Sequence, residues 1–375
     1  MAAAITEAEA ASFPARTVAD FAGELVVDLG AIAANWRDLG MRHPSGPVAG
    51  VVKADGYGLG AAAVARALAR AGCRHFFVAQ LSEGLALREA LGQGPMIAVL
   101  GGFPPGADAG AALTAVLNTP GDVAAARATG LSGAILHVDT GMERLGVNAA
   151  ELAGLGDLAG LGLRYVMTHL ACADEPDHPL NAAQAARFAA ARARLPGLPG
   201  SFANSSGLFL GPDFASDLAR PGCALYGINP TPGRPNPMRQ VLRLTIPILQ
   251  IREVPAGATV GYGATWTARR QSRIATIAAG YADGYLRCLS SRGIGILAGR
   301  PVPLVGRVSM DLITLDVTDV PEARLGDRVE LIGPEQTPDA VAALAGTIGY
   351  EILTSLGARY RRRHLEPGRP SGAAA

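Results

Sequence analysis

The chain has 375 residues, of which 49% are hydrophobic and 17% are charged, and its formal net charge at pH 7 is +1. This size and composition predict a soluble globular protein with one large domain and a second domain. The near-zero charge argues against electrostatic binding to nucleic acid or to anionic membranes, and no apolar run approaches the roughly 18 residues that a membrane helix needs.

Apolar, β-rich runs alternate with alanine- and arginine-rich helical patterns between about residue 30 and residue 230. In chain order the runs are VAGVVKA, HFFVAQ, MIAVLGG, TAVLN, AILHVDTG, LRYVMTHLA, GSFANSS and LARPGCALYG. Strands that are apolar throughout and separated by helices are typical of a parallel sheet. Eight such units in about 200 residues predict a closed (β/α)8 barrel of the TIM type.

The pattern changes after the turn-rich stretch INPTPGRPNPM, which covers residues 228–238. Long β-rich segments with few helices follow, and they predict a mostly antiparallel β domain. We therefore predict a flexible N-terminal tail over residues 1–22, the barrel over 23–238, the β domain over 239–366 and a tail over 367–375. A first strand at about residues 24–29 is assigned either to the barrel or to the β domain.

The cysteines and the N-terminal segment bear on compartment and metal content. The four cysteines are far apart in the sequence, which favours reduced thiols over disulfides and gives no zinc-binding spacing. The first residues do not show a basic segment followed by an apolar core, so they do not resemble a secretory signal. These observations predict a cytoplasmic protein without a metal site.

Residues of unusual type follow the ends of the predicted barrel strands. Lys53, the only lysine in the chain, closes the first run, Arg144 follows the fifth and His169 closes the sixth. In such barrels the chemistry lies at the carboxyl ends of the strands, so these side chains are expected to converge on one rim. The small residues of ANSSG and RPGCALYG, after the seventh and eighth runs, are typical of a phosphate site.

An amine and a phosphate site on one barrel rim indicate pyridoxal 5′-phosphate. The cofactor's aldehyde requires a nucleophilic amine, and arginine cannot serve because its guanidinium stays protonated. The ordinary alternative is that Lys53 is a structural or surface lysine. Its position at a strand end, as the sole lysine of an arginine-rich chain, favours the cofactor role.

Eight motifs, in one order, resemble those of the alanine racemases, which combine a barrel with a C-terminal β domain. The motifs are VVKADGYGLG, HVDTGMERLG, THLACAD, FANSSG, ARPGCALYG, GYADGY, GRVSMD and GYEILTSLGARY. The resemblance runs from about ELVVDLGAIAANW to GYEILTSLGARYRRR and so covers nearly the whole chain. It implies that Lys53 binds the cofactor covalently.

The resemblance also implies roles for further residues. Those at the cofactor phosphate would be Tyr57, Ser205, Gly222, the backbone of Cys223 and Tyr350, with Asn204 close by. Arg220 would face the pyridine nitrogen and hydrogen-bond to His169, and Arg144 would bind the substrate carboxylate. Tyr281 and Met310 would come from a second subunit, so the protein would be a homodimer with shared active sites.

Racemisation of L-alanine and D-alanine removes the α-proton on one face and returns a proton on the other. Two acid/base groups must therefore stand on opposite faces, and the resemblance implies Lys53 and Tyr281. Their usual pKa values, about 10 for both, must be lowered for work near neutral pH. Arg220, which cannot accept a proton, would leave the ring nitrogen neutral. The enzyme would supply D-alanine for peptidoglycan.

One departure from the family concerns the support of Arg144. In part of the family the position of His137 is a lysine whose carbamate supports this arginine, but here Lys53 is the only lysine. Arg144 needs another partner, for which we considered a carboxylate, a chloride ion and His137 itself. A broad-specificity amino-acid racemase is the main alternative, because it would share the catalytic pair. A basic amino-acid decarboxylase resembles the chain less, since it would pair the ring nitrogen with a carboxylate where this chain has Arg220. A non-catalytic cofactor-binding protein of the single-barrel kind would lack the β domain predicted here.

Overall fold

We describe a computed structural model of the chain that covers residues 22–108 and 110–366. The predicted tails over 1–22 and 367–375 lie outside the described residues, apart from Ala22. The chain divides into two compact units, which are described separately. Within the described residues, the barrel unit comprises Asp28–Val241 and residues 364–366, and the β unit comprises residues 22–27 and Leu242–Arg363.

The secondary structure changes character between the two units. The strands, in chain order, are β1 (Glu24–Asp28), β2 (Gly50–Val51), β3 (His75–Val78), β4 (Met96–Val99), β5 (Thr114–Leu117), β6 (Ile135–His137), β7 (Tyr165–Met167), β8 (Gly200–Ser201), β9 (Leu242–Val254), β10 (Thr259–Val260), β11 (Trp266–Thr267), β12 (Ser272–Ile277), β13 (Ile294–Leu297), β14 (Arg300–Pro303), β15 (Ile313–Asp316), β16 (Arg328–Ile332) and β17 (Arg361–Leu365). The α-helices are α1 (Leu29–Arg42), α2 (Ala61–Ala71), α3 (Leu81–Leu91), α4 (Pro120–Thr129), α5 (Ala149–Gly154), α6 (Pro179–Ala193), α7 (Pro338–Ala345) and α8 (Gly349–Ser355).

Strands β2 to β8 form one parallel sheet in sequential order. Every residue of β4 and β5 is buried, as expected for parallel strands covered on both faces. The helices between them carry clear local signals. In α4, Thr119 and Asp122 form a capping box around Pro120, the first helical residue, and Gly130 ends the helix in the left-handed conformation. Because the strands are parallel and in sequential order, their carboxyl ends lie at a common rim.

The eighth predicted barrel strand is shorter than expected. Leu218 and Ala219 form only isolated parallel bridges, to Ser201 on one side and Val48 on the other. Backbone hydrogen bonds from Ala49 N–H to Ala219 O and from Val51 N–H to the carbonyl of Pro221 continue this contact. Pro221 has no N–H to extend a ladder. The segment therefore connects β8 back to β2 without forming a regular strand, and the predicted barrel is confirmed.

The β unit is a mostly antiparallel sheet built around the 13-residue strand β9. Its strand order is β14-β13-β16-β9-β1-β17, and β12 pairs with both β9 and β15. Leu25 and Val27 of β1 are fully buried, while Glu24, Val26 and Asp28 are partly exposed, which is the alternation of a half-buried strand. The predicted fold class, a barrel followed by an antiparallel β domain, is confirmed. None of the described helices combines the length and apolarity that crossing a bilayer requires.

Candidate active site

Lys53 follows β2 and begins a turn of unusual handedness, which we call the Lys53 turn (residues 53–58). All five residues after Lys53 have positive φ angles, and three of them, Ala54, Asp55 and Tyr57, are not glycine. A non-glycine residue in the left-handed region costs about 1–2 kcal/mol. Contacts with the surrounding structure must therefore stabilise this conformation.

Two carboxylates hold the backbone of the Lys53 turn. Ala54 N–H donates a hydrogen bond of 2.6 Å to Oε1 of Glu83, at the start of α3. The side chain of Asp55 accepts from the N–H of Ala61, the first residue of α2, at 2.8 Å. The turn that carries Lys53 is thus fastened to the beginnings of two barrel helices.

Tyr57, the last residue of the Lys53 turn before Gly58, is buried inside the barrel unit. Its ring stacks on that of Tyr226 with 4.6 Å between centroids, and the Tyr226 hydroxyl donates to Val51 O at 3.0 Å. A Cβ atom added to Gly222 would lie 2.2 Å from the Tyr57 hydroxyl oxygen. Only glycine leaves room for the tyrosine at this place.

Ser205 gathers the backbone of the loop that contains Gly222. The N–H groups of Gly222 and Ala224 donate to the Ser205 hydroxyl oxygen at 2.9 Å and 3.2 Å. Since that oxygen already accepts two bonds, its own proton is directed to another acceptor. Cys223 begins a 3-10 helix, Cys223–Tyr226, and the side-chain oxygen of Asn204 accepts from Gly207 N–H at 2.9 Å. Tyr57, Asn204, Ser205, Gly222 and Cys223 therefore lie in one system of loops.

Arg220 is 4% exposed, and it pairs with no carboxylate of the described residues. Its guanidinium donates to Ser201 Oγ and to Thr168 O, and its central carbon lies 6.0 Å from the centroid of the Phe77 ring. Burial lowers the pKa of Arg220 to about 10. Among the described residues, the predicted hydrogen bond with His169 is not formed, and the acceptors that the guanidinium contacts are neutral oxygens.

Two histidines at this rim are held in the neutral form. Burial and then the charge of Arg220 lower the pKa of His169 to about 3 and that of His137 to about 4. His137 Nδ1 lies 2.8 Å from Asn118 Oδ1, and the amide nitrogen of Asn118 donates to backbone carbonyls of Leu100 and Val116. This orientation of Asn118 makes Nδ1 of His137 the donor.

Arg144 extends from a loop that is fixed by Asp139. The Asp139 carboxylate accepts the N–H groups of Gly141, Met142 and Glu143, each at 2.9 Å. Arg144 itself is exposed, and its guanidinium forms no ion pair within residues 22–108 and 110–366. Of the partners considered from the sequence, a carboxylate is therefore absent from the described part of the chain. His137, whose Nδ1 donates to Asn118, offers only Nε2 as an acceptor.

The side chains of the barrel rim fit the chemistry of pyridoxal phosphate. Burial, together with repulsion by Arg144, lowers the pKa of Lys53, while Glu83 acts in the opposite direction. A lowered pKa makes the nucleophilic amine available closer to neutral pH. Ser205 lies against the loop of Gly222, a position that admits only glycine. Its hydroxyl proton can be donated to an anionic oxygen. No group of three or more His, Cys, Asp or Glu among the described residues is arranged to bind a metal ion.

Tyr281 and Met310 are presented together on the surface of the β unit. The N–H of Tyr281 donates to Ser309 O, and that of Ala282 donates to Met310 O, both at 3.0 Å. The side chains of Tyr281 and Met310 stay 42% and 53% exposed. A Cβ at Gly280 would lie 2.2 Å from Met310 O, so glycine is required for this close approach.

A charged clamp supports this pair of loops. Arg359 donates two hydrogen bonds to the carboxylate of Asp283, at 2.6 Å and 2.8 Å, and a third to Asp311 at 2.8 Å. Asp283 belongs to the Tyr281 loop and Asp311 follows Met310. Tyr350, the remaining predicted phosphate ligand, lies in α8 of the β unit and is 36% exposed.

The sequence analysis did not single out Glu83, Asn118 or Tyr226. Glu83 gives a local signal, because it lies three residues after Gln80 at the start of a helix and forms a capping box there. That signal predicts the beginning of α3. It does not predict the bond to Ala54, which is 29 residues away. Asn118 and Tyr226 give no signal that distinguishes them from ordinary buried residues.

Comparison with known proteins identifies relatives over both units. The family model for the alanine racemase N-terminal domain matches residues 27–230, and that for the alanine racemase C-terminal domain matches residues 241–364. The chain is 58% identical to an alanine racemase of Acidiphilium cryptum, over 90% of this chain and 97% of the relative. It is 51% identical to a catabolic alanine racemase of Mesorhizobium japonicum, over 91% and 93% of the two chains.

A solved structure resembles the fold as a whole. The alanine racemase of Bartonella henselae, determined with covalently bound pyridoxal phosphate, is 41% identical and superposes with a TM-score of 0.87. The alignment covers 92% of this chain and 99% of that chain. The similarity therefore includes the barrel and the β unit alike.

Proposed function

The chain belongs to the alanine racemase family of pyridoxal phosphate-dependent isomerases, and from this premise we propose that it interconverts L-alanine and D-alanine by a two-base mechanism. The observation that carries the proposal is the environment of Lys53. The only side-chain amine of the chain stands at the end of the first barrel strand, with a lowered pKa.

In this proposal the cofactor-binding residues belong mainly to the loops around Tyr57 and Ser205. Lys53 attaches the cofactor, while Tyr57, Asn204, Ser205, Gly222, Cys223 and Tyr350 hold its phosphate. When bound, pyridoxal phosphate supplies an aldehyde for covalent attachment of the amino acid and a ring that accepts the electrons left by the α-proton. Arg220 would face the ring nitrogen, and because its guanidinium holds its proton, it would leave that nitrogen unprotonated.

Two residues move protons at the substrate Cα. Lys53 exchanges a proton on one face, and its lowered pKa in this structure supports that role near neutral pH. Tyr281 exchanges a proton on the other face. Arg144 binds the substrate carboxylate, and its exposure and lack of an ion pair among the described residues leave its donors available. Burial and the positive charges of Arg220 and Lys53 lower the pKa of His169. The neutral imidazole helps to shape the site.

The proposed enzyme is a homodimer in which Tyr281 and Met310 complete the site of the partner subunit. Three large side chains on this surface support the proposal. Tyr281 is 42% exposed, Met310 is 53% exposed, and Leu312, which belongs to the Met310 loop, is 43% exposed. Large apolar side chains that lie together on a surface are typical of an interface. The loop is also braced by Arg359, as expected of a surface that must keep a fixed shape.

We place the enzyme in the cytoplasm, where it supplies D-alanine for peptidoglycan. The catabolic alanine racemases among its relatives support a second assignment, a catabolic role. A broad-specificity racemase on the same scaffold is the alternative in substrate range. Racemase assays with alanine, serine, lysine and arginine separate a strict alanine racemase from a broad-specificity one, because alanine alone should show a high kcat/KM if the site is strict.

Borohydride reduction of the holoenzyme, followed by peptide mapping, tests the role of Lys53. Since the chain contains one lysine, we expect the reduced cofactor on the peptide that contains Lys53 and nowhere else. Lys53→Arg is the matched variant, because it keeps a positive charge but offers no nucleophilic amine. We expect this variant to show no covalent cofactor and no racemase activity. Cofactor found only at the N-terminal amine would refute the assignment.

A further inference from the structure

One carboxylate connects the Lys53 turn to the neighbouring strand and helix of the barrel unit. Glu83 Oε1 accepts the N–H of Ala54 at 2.6 Å. Its other oxygen accepts the N–H groups of Ala79 and Gln80, at 2.7 Å and 3.0 Å. Ala79 follows β3 and Gln80 caps α3, so a single side chain joins the carboxyl ends of the first two barrel strands.

The bond to Ala54 falls at the point where the backbone changes hand. Ala54 is the first residue after Lys53 and the first with a positive φ, at 52°. A left-handed conformation at alanine persists only where the surroundings impose it. The short, charge-assisted bond to Glu83 is such a constraint. It acts on the peptide unit directly next to the Cα atom of Lys53.

The charge of Glu83 also acts on the Lys53 amine. Burial and Arg144 both disfavour the ammonium form of Lys53, and Glu83 is the acidic side chain that favours it. Capping α3 requires only the oxygen that faces Ala79 and Gln80. The second oxygen and its bond to Ala54 exceed what a helix cap needs.

We propose that Glu83 is a positioning residue, which fixes the Lys53 turn against the β3–α3 junction and thereby aims the Lys53 amine. The proposal deepens the function proposed above and rests on the assignment of Lys53 as the cofactor-bearing residue. Glu83 does not touch the reacting atoms. Its effect passes through the backbone at Ala54 and through its charge.

The first test compares Glu83→Gln with Glu89→Gln, an exposed position of the same helix. A glutamine has one acceptor oxygen and cannot hold both sides of the junction. In the holoenzyme we expect amide hydrogen exchange in residues 54–58 to rise about tenfold or more, and kcat to fall about tenfold with KM nearly unchanged. Glu89→Gln should match the wild type.

The second readout uses the single lysine of the chain. The full-length protein, freed of cofactor, is treated with an amine-acylating reagent at a series of pH values, and labelling of the Lys53 peptide is followed by mass spectrometry. Removal of the Glu83 charge should move the labelling midpoint to lower pH, by about half a unit or more. The labelling of the N-terminal amine serves as the internal reference.

A role limited to capping α3 predicts a different pattern. In that case exchange rises only in residues 79–83, while residues 54–58, kcat and the labelling midpoint keep wild-type values, and the proposal is wrong. If Glu83→Gln does not fold, the wild type decides. Hydrogen exchange should then be about equally slow at three amides, those of Ala54, Ala79 and Gln80. An Ala54 amide that exchanges about a hundredfold faster than the other two overturns the inference.

These outcomes are separable from those for the proposed function. If borohydride reduction traps the cofactor on Lys53 but Glu83→Gln keeps the wild-type exchange, kcat and labelling midpoint, only the inference about Glu83 fails. If the cofactor is not on Lys53, the proposed function fails whatever the Glu83 variant does.

Discussion

At the scale of single residues, the two rim histidines show how burial determines charge. His137 and His169 lie beside the cations Arg220 and Arg144, and both pKa values fall well below the usual 6.5. For His137, the bond from Nδ1 to Asn118 also fixes the tautomer. The imidazole therefore stays neutral over the whole range in which the enzyme is expected to work, and it adds no charge next to Arg144.

A neutral buried histidine makes stability depend on pH. The folded pKa of His137 is about 4 and the unfolded value is 6.5, so the unfolded state alone takes up a proton between these limits. The free energy of unfolding should therefore fall with decreasing pH in this window, by up to about 1.4 kcal/mol per pH unit from His137. Below about pH 4, this contribution stops growing.

Denaturant titrations of the cofactor-free protein between pH 7 and pH 5 measure this effect. His137→Asn should flatten the pH dependence by roughly the contribution of one histidine, about 1.4 kcal/mol per pH unit at most, whatever its effect on absolute stability. His178→Asn is the control, since His178 caps α6 through a side-chain acceptor that asparagine can replace. Equal slopes in the wild type and in His137→Asn would contradict the prediction.

At the scale of elements, the clamp around Arg359 orients two loops rather than one. Its bonds to Asp283 and Asp311 join the loop of Tyr281 to that of Met310. A lysine at this position keeps the charge but loses the planar fork that reaches both carboxylates. We expect Arg359→Lys to lower kcat between about tenfold and a hundredfold, since a shift of about 1 Å in a catalytic group has effects of this size.

The matched control is Arg361→Lys, two residues further along, where the side chain is exposed. Steady-state kinetics with L-alanine and D-alanine provide the measurement, and the loss should appear in kcat in both directions. Wild-type kcat in Arg359→Lys would show that the loops keep their arrangement without the clamp.

The elements also show how far the sequence predicts this molecule. Uniform apolar strands and helical spacers predict the barrel, and the break near residue 238 predicts the β domain, because periodicity and turn residues are local properties. The left-handed Lys53 turn could not be predicted, since Ala54 and Tyr57 are not residues that favour positive φ. The eighth strand was predicted too regular because its contacts come from segments far away in sequence.

The same limit applies to the candidate site. The prediction for Lys53 depends on its being the single lysine at a strand end, and the predictions for Tyr281 and Arg220 depend on motif order. The contacts around them are long-range: Glu83 is 29 residues from Ala54, and Thr168 is 52 residues from Arg220. Chemical type is written in the sequence, whereas the acceptors that a buried guanidinium finds depend on how the loops pack.

At the scale of the whole molecule, the proposed shared site predicts complementation between inactive subunits. Lys53→Ala and Tyr281→Phe each remove one of the two proposed bases, so each homodimer should be inactive. Random exchange makes half of the dimers hybrids, each with one intact site, so activity should recover to about one quarter of the wild-type level.

Subunit exchange must be verified independently, for example by native mass spectrometry of subunits that differ in mass. Each variant mixed with itself provides the baseline. Complete exchange without recovery of activity would contradict the sharing of residues between subunits, while leaving the assignment of Lys53 intact.

The position of β1 has a consequence for synthesis of the chain on the ribosome. This strand lies between β9 and β17, which begin at Leu242 and Arg361. At a translation rate of about 5–20 residues per second, β1 waits on the order of 10 seconds or more for its first neighbour. During that time Leu25 and Val27 have no sheet to cover them. The nascent chain therefore carries an apolar, unpaired strand near its leading end until β9 is made, and one edge of β1 stays without a partner until β17 follows. A chain cut short before β17 would keep that edge of β1 open.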